Sequence, residues 1–163
     1  MRAEIPNPMS SGGTSGPSWG LVLVRVVCGA IMLFTGWSKL AHGVDETLVQ
    51  STREAYATAP GIVRAWGEAI VLPHPWFFAH LIMWGEFLGG LALFLGAFTR
   101  PAGYAGAFMF ANFYFAGPES ARLLVILLTA CCVGCAMSRA GDRSGADVFL
   151  TERCPVWMTW VRR

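Results

Sequence analysis

The chain has 163 residues, 55% of them hydrophobic and 13% charged, with a net charge of +2. A soluble domain carries about 25% charged residues, so the composition argues against a water-soluble globule. The small net charge, with no basic run interleaved with aromatics, excludes nucleic acid as a partner.

Taken in chain order, residues 1–17 are rich in Ser, Gly and Pro and read as a disordered tail. The apolar stretch that follows is longer than a secretory h-region and has no A-x-A-like site after it, so it is expected to remain as a membrane span. A spanning helix needs roughly 20 mostly apolar residues. Four stretches approach this, at about 18–41, 76–98, 101–116 and 121–138. Thr99-Arg100-Pro101 separates the second from the third, with proline suited to a first helical turn. Gly117-Pro118-Glu119-Ser120 makes a tight turn before the fourth. The expected fold is all-α, an integral membrane four-helix bundle. Its long outer loop, 42–75, carries short helices over Val44–Ala57 and Ile62–Val71, the second resting on the bundle or the interface. Residues 148–163 form a cytoplasmic or interfacial tail, with Trp157 and Trp160 placed to anchor it.

Lys and Arg near the spans set the orientation. Arg2, Arg100, Arg139, Arg143, Arg153, Arg162 and Arg163 fall on one side, against Lys39, Arg53, Arg64 and Arg122 on the other. The richer side is expected to be cytoplasmic, giving a multi-pass protein of a bacterial cytoplasmic (inner) membrane with both termini on its cytoplasmic side.

Charge inside a span is costly and usually functional or paired. Arg25 and Glu86 are such residues, and Asn112 adds an amide. Counted from the cytoplasmic ends at about 1.5 Å per residue, Arg25 lies roughly 10 Å deep, Glu86 roughly 18 Å and Asn112 roughly 16 Å. These depths suggest a buried polar layer of Arg25, Glu86 and Asn112, with an Arg25–Glu86 ion pair within reach. Three roles fit: locking helix register, contacting a substrate or quinone, or simple snorkelling of Arg25 to the headgroups. Gly85 and Gly89 form a G-x-x-x-G with Gly90 beside it, and Gly29 and Gly36 lie on the first span. Small residues of this kind let helices approach closely.

Five cysteines are present, Cys28, Cys131, Cys132, Cys135 and Cys154, none in the outer loop, so no structural disulfide is expected. Cys132 and Cys135 form a C-x-x-C inside the fourth span. It reads as small packing residues first, with redox or metal chemistry as alternatives. His42, His74 and His80 do not converge with the cysteines by topology, so no metal site is expected.

The blocks Leu23-Val24-Arg25 with Phe34-Thr35-Gly36-Trp37-Ser38-Lys39-Leu40, Glu86-Phe87-Leu88-Gly89-Gly90-Leu91 with Gly96-Ala97-Phe98-Thr99-Arg100, and Arg139-Ala140-Gly141-Asp142 with Ala146-Asp147 resemble the DoxX family of small four-span membrane proteins. The resemblance runs from about Leu21 to Asp147. It implies a four-helix membrane bundle and a link to redox chemistry. Some relatives are subunits of thiosulfate:quinone oxidoreductase, and others join membrane complexes that resist oxidative stress. Quinone is thus the implied cofactor, and the implied partners are the lipid bilayer and a membrane or soluble redox protein. Lys39, Thr99, Arg100 and Asp147, with Arg25 and Glu86, occupy the family's recurring polar positions. The sequence shows no self-sufficient catalytic motif. A non-catalytic assembly or small-solute transport component is the competing reading.

Overall fold

A computed structural model describes residues 19–117, 119–138, 145–150 and 155. The expected N-terminal tail and the Trp157/Trp160 anchor lie outside them. The helices are α1 (Trp19–His42), α2 (Glu46–Thr58), α3 (Gly61–Trp66, continuing as a π-helical stretch Gly67–Val71), α4 (Pro75–Leu95), α5 (Thr99–Ala116), α6 (Arg122–Met137) and a terminal turn α7 (Asp147–Leu150).

Helices α1, α4, α5 and α6 form an up-down-up-down bundle. Each packs on its neighbours in that order, and α6 closes back on α1. The tightest seam is α1 against α4. Gly29 lies on the backbone of Leu93 and Phe94, Gly90 on that of Met32 and Leu33, and Gly36 on that of Glu86 and Phe87. Each step up α1 is thus a step back along α4, and glycine removes the Cβ that would hold the backbones apart. The close approach uses Gly90 rather than the G-x-x-x-G: Gly85 faces Met109 of α5, and Gly89 faces the tip of Met32. Inside, Met32, Leu93, Phe110, Leu128, Cys132 and Cys28 form the core.

The outside of the bundle is apolar. Phe34 is 74% exposed, Leu123 70%, Phe108 66% and Phe77 63%. Apolar surface on this scale needs lipid or a partner to cover it. By length and apolarity α1, α4 and residues 119–137 can each cross a membrane. Helix α5 has the length, 18 residues, but Arg100, Asn112, Tyr104 and Tyr114 make it less apolar. Of the four expected spans, then, three meet the criterion and the fourth is a bundle helix of lower hydropathy.

The outer loop folds as two helices. Asp45 caps α2 by accepting from the Leu48 N–H at 2.9 Å. Val49 and Tyr56, two turns apart, form its buried face. α2 rests on α4 and α5, and α3 touches α5.

Candidate functional site

The polar residues singled out in the sequence fall into two groups at opposite ends of the bundle. One group, called inner after the expected orientation, forms at the α4–α5 turn. Helix α4 ends on Gly96, in the left-handed region at φ 66°. The Ala97 N–H reaches back to the Ala92 carbonyl at 2.8 Å, a Schellman-type closure. Phe98 follows, also left-handed at φ 51°, which costs a non-glycine residue about 1–3 kcal/mol unless its surroundings hold it. Asp147 holds it. Its carboxylate accepts the N–H of Phe98 at 2.6 Å and of Thr99 at 3.1 Å, capping α5 from a distant part of the chain. Two backbone bonds, Ala146 N–H to Leu95 and Asp147 N–H to Gly96, stitch the same segment to the turn.

Arg25, only 1% exposed, sits under this turn. Its guanidinium and the backbone of Gly145 fill the space a side chain at Gly96 would need. Asp147 and Cys135 are its electrostatic neighbours. Arg25, Thr99 and Asp147 are therefore one buried cluster, and the half-buried Arg100 is next in α5.

The outer group is Lys39 and Glu86. The Lys39 Nζ meets Glu86 Oε2 at 2.5 Å, with the carboxylate side chain buried and the lysine 29% exposed. Lys39 also lies 6.0 Å from the centre of the Phe113 ring. The Arg25–Glu86 pair suggested by depth is not formed. Glu86 is level with Gly36, and Arg25 is eleven residues below Gly36 in α1, a separation of about 16 Å. The ends of the two spans do not lie at one level: the end of α4 lies opposite Gly29, well inside α1, and its closing turn meets Arg25.

Asn112 directly precedes Phe113, the ring near Lys39, in α5. Its Nδ2 donates to the Phe108 carbonyl at 2.8 Å. The rest of its amide lines a cavity of about 270 Å³ between α4 and α5, walled by Phe78, Phe108, Met109 and Phe113 with Tyr56 and Trp66 of the outer helices above. Burial pushes the Tyr56 phenol up from its ordinary value, so it stays neutral there. A second, more open hollow of about 600 Å³ adjoins it beneath α2, where Ser51, Thr52, Glu54 and Thr58 supply polar groups.

Cys132 and Cys135 are both buried in the interior of α6. The nearest sulfur partner of Cys132 is not its motif mate but Cys28 of α1, at 3.6 Å.

Sequence reasoning missed three partners: Lys39 for Glu86, Asp147 for the α5 N-terminus, and Cys28 for Cys132. The first was recoverable. Setting Gly29 and Gly36 to either side of Gly90 in antiparallel register brings Glu86 level with Gly36, about one helical turn from Lys39. The other two depend on how α6 and its following segment close the bundle.

These features define a helical membrane protein with a polar cluster at each end and an apolar chamber between two of its helices. The DoxX family model matches residues 20–119, and the chain belongs to the DoxX family. No curated protein and no solved structure matches it significantly.

Proposed function

We propose that this DoxX-family protein works as a subunit or accessory of a quinone-linked redox system, handling sulfur or thiol substrates or oxidative stress. The observation that carries the reading is the chamber beside Asn112. Its walls are aromatic and apolar, with an amide at one side, and an ionisable pair, Lys39–Glu86, stands behind Phe113. A quinone ring is flat and apolar with hydrogen-bond acceptors at its edge, so these residues fit it. Phe78, Phe108, Met109 and Phe113 would hold the ring, and the second N–H of Asn112 would donate to a carbonyl. The quinone would supply the electron acceptor. Glu86 would hold or release a proton near the site, beside the Lys39 ammonium.

In this reading residues 18–147 are the membrane domain, residues 1–17 a tail and the end of the chain a cytoplasmic or interfacial segment. Helix α5 completes the set of four as the third span: Tyr104, Phe108 and Phe115 are exposed on the same apolar exterior as its neighbours. The Arg excess favours both termini on the cytoplasmic side of a bacterial inner membrane, with α2 and α3 on the opposite side. A redox protein of the membrane or its surface is the expected partner.

The test is binding of a short-chain quinone to purified protein. Asn112→Ala should weaken it at least tenfold. Arg25→Ala should lower stability and leave affinity in the folded fraction unchanged. Equal affinity in folded wild-type and Asn112→Ala protein would end the proposal. The second reading, a non-catalytic assembly or small-solute transport component, is favoured by the polar-edged hollow under α2. It predicts that deleting α2–α3 abolishes function while Glu86→Gln does not.

A further inference from the structure

We propose that Cys28 and Cys132 form a reversible disulfide across the bundle, joining the first long helix to the last. The two sulfurs stand 3.6 Å apart on α1 and α6, 104 residues apart in sequence. Both are almost wholly buried, at 2% and 0% exposure. Disulfide formation needs the sulfurs to close to about 2.05 Å with Cβ atoms about 3.5–4.5 Å apart. Side-chain rotation on facing helices supplies a movement of that size. The C-x-x-C cannot bridge as readily. Positions three apart inside a helix hold their Cβ atoms about 5–6 Å apart, so Cys132 and Cys135 would have to unwind α6.

The surroundings favour this chemistry over metal binding. Metal capture by thiolates places net charge in an apolar core, where an uncompensated charge is expensive. A disulfide is neutral. Each thiol releases its proton and the two sulfurs bond. The electron pair and both protons pass to a lipid-soluble oxidant of the benzoquinone class, which leaves as the hydroquinone. An oxidant of this solubility is needed because the pair lies in the bundle core, away from water.

The consequence is a covalent link where packing is thin. The α1–α6 contact is the slightest of the four seams of the bundle, and α1–α4 the most extensive. Oxidation would therefore fasten the side that packing fastens least.

The experiment uses full-length protein in liposomes with a fully substituted benzoquinone, which has no open ring position for thiol addition. Peptides are then mapped by mass spectrometry with and without reductant. The expected result is a reducible link between the Cys28 and Cys132 peptides in wild-type and in Cys135→Ser protein, absent in Cys28→Ser. The Asn112→Ala protein should still form it, so failure of the quinone chamber and failure of this pair are read separately. Should Cys28→Ser not fold, the wild-type map decides alone. A link from Cys132 to Cys131 or Cys135, or Cys28 and Cys132 both remaining free to alkylation after treatment, would overturn the proposal.

Discussion

Replacing Asp147 with alanine removes the inner lock, and its cost can be worked from the contacts. The carboxylate caps α5 through the N–H groups of Phe98 and Thr99, and losing a cap costs about 1–2 kcal/mol. Asp147 is also an electrostatic neighbour of the buried Arg25. Taking a charged neighbour from a buried guanidinium adds about 2 kcal/mol. Together the loss is about 3–4 kcal/mol, a large share of a typical domain's stability. Asp147→Asn keeps an acceptor for one amide but drops the charge, so it should fall between wild-type and Asp147→Ala. The assay is unfolding by SDS in mixed micelles, followed by far-ultraviolet circular dichroism. Asp147→Ala within about 0.5 kcal/mol of wild-type, the scatter expected of an ordinary surface substitution, would refute the reasoning.

Two further outcomes follow from the seams and the outer pair. Gly90→Ala should cost at least about 2 kcal/mol, because its methyl would enter the backbone of Leu33, whereas Gly85→Ala should be neutral or slightly stabilising, its nearest neighbour being the Met109 sulfur at 3.6 Å. The same SDS titration ranks the two, and equal effects would mean that α1 and α4 do not meet as described. Lys39→Met should destabilise by about 3–5 kcal/mol by leaving the Glu86 carboxylate buried without its partner. Lys39→Met with Glu86→Leu should recover most of that loss, and a double variant as unstable as the single one would contradict the pairing.

How much of this was legible in the sequence depends on the range of the interaction that decides it. The apolar blocks, the Gly and Pro joints and the family positions are local, and a helix long and apolar enough to cross lipid declares itself within its own residues. The outer-loop helices were visible for the same reason, from the helical composition of 44–57 and the apolar residues of 62–71; the Asp45 cap and the burial of Val49 and Tyr56 came from the structure. The grouping of polar residues was not local. Counting depth from helix ends placed Arg25 near Glu86, but the register of α1 on α4 is set by where glycines let two backbones touch, and that register hands Glu86 to Lys39. Asp147 could be seen as a recurring polar position but not as a cap, since its partners lie 48 and 49 residues away. Cys28 carried no signal at all until α6 closed against α1 and brought Cys132 to it. The sequence by itself thus determined the medium this protein inhabits, the helices that meet it and the residues too polar to be there by accident. Only the tertiary structure decided which of those residues face one another, because side-chain pairing across a bundle is governed by helix register, and a shift of a single turn exchanges every partner.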